Sequence, residues 1–301
     1  MNHVPRFPEF LSISLEAKDL FKRFLRDYQP TTSELTFSNL FIWRSHYGLS
    51  WSLYQDWLVL LNEPPHGEPW FLPPVGPPGR VEVCRRLLDW LGEVKKISHP
   101  CINRVDRRLA EEVTQKGFTC ETVRDHFDYL YRSADLISLS GNKYHSKKNH
   151  INRLRRFQQP VYEPLREEFL SACLHLTDCW CEFKRCEEDL NLTSEWEATR
   201  LAIRHFRELE LQGGLILLAG KVEAFALGEL LNRQTAVIHI EKANPEIREL
   251  YALINQQFCE HAWKEVELIN REQDLGEPGL RKAKLSYHPV LLEEKFRISL
   301  G

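Results

Sequence analysis

The stretch TAVIHIEKANPEIREL, residues 235–250, carries a strand pattern directly into a helix pattern and decides the fold class. Residues 236–241 hold the β-branched and apolar side chains of a strand. Residues 245–264 read as a long helix with Ile247, Leu250, Ile254 and Phe258 on its apolar side. On the N-terminal side, residues 215–218 and 223–231 form a hairpin around Gly220. On the C-terminal side come a strand at 266–270, a loop holding Gly276, Pro278 and Gly279, and a short helix from Leu280. Strands and helices alternating around a hairpin predict an α+β mixed sheet with helices on its faces.

Farther upstream, a basic helix spans 144–157, a second helix spans 164–181, and a third, opened by Ser194, spans 194–209. The first half of the chain follows the same plan. A helix capped by Ser14 places Leu15, Leu20, Phe21, Phe24 and Leu25 on one stripe, and residues 50–62 and 70–72 are strand-like. Prolines 73, 74, 77 and 78 force a loop before a helix at 80–94. A strand at 102–105, a helix at 107–116 stopped by Gly117 and a strand at 125–131 complete it. The pattern restarts after Ser138, Ser140 and Gly141, so two domains are expected, 1–138 and 139–301.

At 301 residues, 43% hydrophobic and 28% charged, the chain can bury full cores. A net charge of -3 excludes a uniformly basic nucleic-acid coat, so partners must be read from local charge. No apolar run reaches the roughly 20 residues of a membrane-spanning helix, and the first ten residues lack a signal-peptide core; a cytoplasmic location is expected. The eight cysteines lack paired metal spacing and read as reduced thiols, with Cys179, Cys181 and Cys186 serving as helix and loop residues and no metal bound.

Three segments resemble a known family: DHFDYLY at 125–131, GNKYHSKKNHINR at 141–153 and NREQDLGEPGLRKAKLSYHP at 270–289. They are similar to hallmark segments of the phosphatidylglycerol lysyltransferase C-terminal family. The resemblance implies two tandem GNAT-like acyltransferase domains, each a mixed, mostly antiparallel sheet with flanking helices, and a distant relation to Fem-type aminoacyltransferases. It also implies transfer of an aminoacyl group from aminoacyl-tRNA onto a lipid headgroup or peptide amine; for this chain the expected acceptor is an amine or hydroxyl of a headgroup or small molecule, with a phosphorylated small molecule among the candidate partners. The lipid-modifying members carry a long N-terminal transmembrane region that this sequence lacks.

The residues allow that chemistry without fixing it. No acidic residue falls between Asp135 and Glu163, and Lys143, Lys147, Lys148 and Arg153, with Asn149 among them, form a field suited to phosphates. The same residues also suit a solvated helix face. Asn270, Glu272, Asp274, Arg281 and Lys284 crowd a strand end, where loops present functional groups; a salt-bridged closing loop is the other reading. Glu241 ends its strand where an acetyl-CoA-dependent GNAT domain has a glycine-rich pyrophosphate cradle. Here the turn is Lys-Ala-Asn-Pro-Glu, 242–246, without glycine. Glu241 and Asp274 are the candidate proton-handling carboxylates, although Glu241 also suits a helix-start carboxylate. The aminoacyl ester is already activated, so no cofactor is required. Two alternatives remain: a non-catalytic module binding a phosphorylated ligand or RNA, and an acetyl-CoA-dependent transferase with its cofactor in the N-terminal half.

Overall fold

The computed structural model describes residues 3–301. Two compact units share the chain discontinuously. Unit 1 takes the chain up to Asp128 together with Gln273–Glu277 and Leu292–Gly301; unit 2 takes Tyr129–Glu272 and Pro278–Leu291. The expected boundary at 138/139 therefore lies inside unit 2.

Unit 1 carries a seven-stranded sheet. Its order is β1 (Leu11–Ser12), β2 (Leu49–Tyr54), β3 (Trp57–Asn62), β4 (Trp70–Phe71), β5 (Ile102–Val105), β14 (Phe296–Leu300) and β6 (Phe118–Thr122). β4 and β5 are parallel, as a helical crossover requires, and α4 (Val81–Glu93) makes that crossover. The remaining pairs are antiparallel. Val83, Leu87 and Leu91 of α4 pack with Leu109 and Val113 of α5 (Arg107–Val113) against Val59, Phe71, Ile102 and Ile298 of the sheet. Each such side chain contributes about 1.5–3 kcal/mol by leaving water. Asp106 starts α5 by accepting the amide of Leu109 at 2.9 Å. Ser14 makes no such side-chain cap; a single 3-10 turn, Leu15–Ala17, leads instead into α1 (Lys18–Tyr28). Two short helices follow, α2 (Phe37–Ile42) and α3 (Arg44–Tyr47).

The second sheet repeats this plan in the order β13 (Leu291–Glu293), β7 (Asp128–Arg132), β12 (Leu268–Asn270), β11 (Thr235–Ala243), β10 (Lys221–Leu230), β9 (Gln212–Leu218) and β8 (Val161–Pro164). It again includes a parallel pair, β11 with β12, joined through α10 (Leu250–Ala262). The parallel register covers only Thr235–Val237 against Leu268–Asn270. β11 then runs on to Ala243 while β12 stops, so the two strands splay. The other helices are α6 (Ser133–Ser138), α7 (His145–Phe157), α8 (Glu167–Lys184), α9 (Leu190–Arg204) and α11 (Pro278–Leu285).

Two further expectations change. α9 starts earlier than Ser194, because Asp189 caps it by accepting the amides of Asn191 and Leu192, and Ser194 bonds back to Leu190 inside the helix. Cys181 and Cys186 form a disulfide pair rather than two reduced thiols. Arg185, in the left-handed region at φ 53°, reverses the chain at the end of α8 and brings their Cα atoms to 5.1 Å. Among the described residues no helix is long and apolar enough to cross a membrane, and no group of three or more ligating side chains is placed to hold a metal.

Candidate functional site

The splay between β11 and β12 gathers the most unusual chemistry of unit 2. Glu241, two residues before the end of β11, has both carboxylate oxygens engaged: Oε1 accepts from Asn255 Nδ2 of α10 at 3.0 Å, and Oε2 accepts from Nη2 of Arg271. Arg271 follows the last residue of β12. Burial opposes its charge, but Glu241 beside it holds the guanidinium protonated far above neutrality. Its Nε and Nη1 are buried and make no well-directed hydrogen bond, with the Tyr287 hydroxyl the neighbour close enough to interact with the guanidinium. Leaving charged donors unmatched is costly, so such groups call for an explanation. The guanidinium lies 4.7 Å from the ring centroid of Tyr287 and 5.8 Å from that of Tyr131.

Lys147, on α7, reaches the same place. Its Nζ lies 4.0 Å from the Tyr287 ring centroid, and burial together with the charge of Arg271 pulls its pKa down to about 8. Two cations, two tyrosines and one carboxylate thus surround two open donors. Lys284 closes the neighbouring turn, donating to the carbonyls of Arg271 and Glu272. Tyr131 donates to the carbonyl of Lys284 at 2.8 Å. The basic helix is fastened to the C-terminal segment nearby, where Tyr144 donates to the carbonyl of Tyr287 at 3.0 Å.

Other candidates from the sequence stand apart. Asn270 is buried and accepts the amide of Glu272 at 2.7 Å. Glu272 faces His239, which also meets Glu229; the ring nitrogens lie 2.8 and 3.0 Å from the two carboxylates. Both neighbours are acceptors, so both nitrogens must donate and the ring is an imidazolium. Burial opposes that charge, yet the hydrogen bonds to Glu229 and Glu272 lift the pKa from 6.5 to about 9. A pKa raised on folding gives stability that is complete below pH 6.5 and disappears as pH rises through 9. At roughly 1.4 kcal/mol per pKa unit, His239→Gln should remove about 3 kcal/mol of stability at pH 6 and almost none of the pH-dependent part at pH 10. Urea melts at the two pH values check this, and an equal loss at both would refute the imidazolium.

Asp274 belongs to unit 1, is fully buried, caps the amide of Gly276 at 2.9 Å and pairs with Arg124 at 3.4 Å. Arg153 turns to Glu249, Lys143 to Asp135, and Asn149 stays exposed within reach of His145. Lys148 and Arg281 are half-buried, on α7 and α11 respectively. The sequence reading passed over Arg271, Tyr131, Tyr287 and Asn255. A signal existed for the first: Arg271 follows Ile269 by two positions, so alternation sends it to the face of a buried residue.

The turn after β11 offers a phosphate little. The amide of Asn244 donates to the Glu223 carbonyl at 2.8 Å, that of Glu246 to its own turn's Asn244 Oδ1 at 3.0 Å, and that of Ile247 to the Asn244 carbonyl at 3.1 Å. Lys242, fully buried, lies 3.2 Å from the Trp180 ring centroid and 2.5 Å from Glu195. In unit 1 the equivalent turn before α4 contains Gly76 and Gly79, but a side chain already occupies it. Glu112 accepts from the amides of Gly79 (3.2 Å) and Arg80 (3.0 Å) and from the Arg80 guanidinium (2.6 Å).

Two mixed sheets with parallel pairs spanned by helices, and flanking helices on each, define a tandem GNAT-like acyltransferase fold. The sequence profile of the phosphatidylglycerol lysyltransferase C-terminal family matches residues 25–299, and the chain belongs to that family. No curated protein matches it in sequence. Among solved structures, a conserved protein of unknown function from Bacteroides thetaiotaomicron is 33% identical, with a TM-score of 0.88 over 97% of this chain and 99% of that one. The C-terminal domain of a putative lysylphosphatidylglycerol synthetase from Agrobacterium fabrum (12% identity, TM-score 0.66, 96% and 92% covered) shares the fold. So does L-PGS from Bacillus licheniformis (12% identity, TM-score 0.65, 99% and 94% covered).

Proposed function

We propose that this chain transfers an aminoacyl group from aminoacyl-tRNA to an amine or hydroxyl of a headgroup or other small acceptor, at the Arg271–Lys147 site of unit 2. The observation that carries the reading is the pair of buried, open donors on Arg271 beside a lysine of lowered pKa. Open guanidinium donors fit the carbonyl oxygen that gains charge when an ester is attacked. Lys147, neutral in part near pH 8, accepts the proton of the attacking group. The acceptor's N–C or O–C bond then forms, the ester C–O bond to the terminal ribose breaks, and the proton passes from Lys147 to the departing ribose oxygen. Glu241 holds Arg271 in place rather than acting as base, since both its oxygens are engaged. Asp274, read from the sequence as a second proton carrier, is better suited to holding its own loop.

The supporting experiment incubates the protein with tRNA charged with labelled amino acids and a cell extract of acceptors. Label should leave the tRNA and appear in an extractable product, with loss of at least a hundred-fold in Arg271→Gln. Binding of charged tRNA should weaken steeply with salt, and Lys148→Ala with Arg155→Ala and Arg156→Ala should flatten that slope. Acetyl-CoA should release no thiol in the presence of the same extract. Unchanged label on the tRNA, or an Arg271→Gln protein as active as wild type, would exclude the reading. The non-catalytic alternative predicts that binding persists and transfer is absent in the wild-type protein as well.

A further inference from the structure

Unit 1 holds a separate cleft of about 630 Å³, within the size range of small-molecule and cofactor sites. We infer that it binds a nucleotide, with the base against α1 and the phosphate at the rim; its RNA form rests on the proposed function. One wall is aromatic: Phe24 and Tyr28 lie one helical turn apart on α1, both half-buried. The Tyr28 ring is rigidly placed. Arg80 donates to its hydroxyl at 2.6 Å, the hydroxyl donates to Asp106 at 3.1 Å, and the Arg108 guanidinium lies 4.5 Å from its ring centroid. Another part of the lining is bare backbone and proline, Gly76 to Pro78. Gly76 must lack a side chain, because a Cβ there would come within 2.7 Å of the Asp56 carbonyl and the Trp57 ring. Trp57 fixes this loop by donating to the carbonyl of Pro77 at 3.0 Å.

Charge selects the ligand. Arg23 and Arg108 are exposed cations at the cleft, Arg108 already paired with Asp106 at 2.8 Å, and Asp27 and Asp56 are acceptors beside them. A hydrocarbon chain would fill the apolar part and leave the exposed charges of Arg23 and Asp56, which line the cleft, without a ligand partner. Inorganic phosphate would meet the arginines and leave the aromatic wall empty. A pyrophosphate on the start of α4 would have to displace Glu112, which holds the Gly79 and Arg80 amides and the Arg80 guanidinium. A flat base stacked on Phe24, its amino groups donating to an aspartate and its phosphate on Arg23, with the partly neutralised Arg108 adding charge nearby, draws on both the aromatic wall and the charged lining.

The test is calorimetric titration of the full chain with AMP, with a short single-stranded RNA ending in CCA, and with inorganic phosphate. AMP should saturate and phosphate should not. Phe24→Ala should weaken AMP about ten-fold, as loss of one stacking partner does. Arg23→Gln, an exposed change, should reduce the salt dependence without altering thermal stability. RNA binding at least ten-fold tighter than AMP assigns the cleft to an RNA end; equal affinities assign it to a free nucleotide. Failure of both AMP and RNA to saturate, or full AMP affinity in Phe24→Ala, overturns the inference. Transfer that depends on Arg271 without nucleotide binding here would sink this inference alone, whereas nucleotide binding without transfer would sink only the proposed function.

Discussion

Replacing Lys295 with methionine is expected to destabilise unit 1 by about 3–5 kcal/mol, the usual cost of removing one partner from a buried ion pair. Lys295 is fully buried, and its Nζ lies 2.6 Å from Asp128 and 2.7 Å from Glu34. Asp128 has no exposed surface and also accepts from the Ser33 amide and hydroxyl at 2.8 and 2.9 Å. Burial raises the pKa of Glu34 against the pull of Lys295, so that carboxylate already bears a desolvation cost in the native protein. Nearby His126 is pushed down to about 3 by burial and by the charges of Arg104 and Lys295, and it stays neutral. Without the ammonium, Glu34 keeps only Arg104, 3.6 Å away, beside the charge of Asp128, and protonation of Glu34 becomes the cheapest relief. The deficit should therefore be larger at pH 8 than at pH 5, because Glu34 in the variant takes up a proton as pH falls. At roughly 2–4 °C per kcal/mol, the melting temperature should drop by about 10 °C near neutrality. Thermal and urea melts at both pH values measure this. A loss below about 1 kcal/mol at pH 8 would show that the cluster is solvated and contributes little.

That cluster also marks where sequence reading stops. Its charges come from positions 34, 128 and 295, brought together because β14 inserts between β5 and β6 from the far end of the chain. Nothing in FRISL, a short, mostly half-buried strand, announces a long-range partner. The elements that were legible carry local information. The β11 to α10 transition has a β-branched, apolar run followed by helical spacing, although the helix begins at Leu250 rather than 245; the β9–β10 hairpin turns at Ala219 and Gly220 with positive φ, and α7 declares its two faces through Ile151 and Leu154. The duplication was legible from element order, although the exchange of segments between the units was not, since the order of elements does not reveal which sheet a strand joins. At the candidate site, charge density drew attention to Glu272, Asp274 and Lys147, yet a charged side chain gives no local sign of its orientation. Glu272 turned to His239, Asp274 to its own loop, and Arg271 inward. Cys181 and Cys186 read as separate thiols at a helix end and in the loop after it, and the left-handed Arg185 that brings them together leaves no sequence signal comparable to a glycine.

Lys147 should show the largest kinetic effect. If its neutral form receives the proton of the attacking group, kcat should rise with pH and level off above about 8, the value to which burial and Arg271 bring it. The direction is set by the base: protonated below that pH it cannot accept a proton, and deprotonated above it can. Lys147→Met should lower kcat by about 10²–10⁴ and remove the rise. Lys147→Arg separates catalysis from charge. An arginine preserves the cation near Tyr287 and Arg271 but stays protonated throughout the accessible range, so binding of charged tRNA and KM should remain close to wild type while kcat falls as far as in the methionine variant. Single-turnover transfer from labelled aminoacyl-tRNA at pH 6 to 9 resolves the two. Near wild-type kcat in Lys147→Arg, with the pH rise intact, would mean that Lys147 supplies only a positive field and that the proton leaves through another group or directly to water.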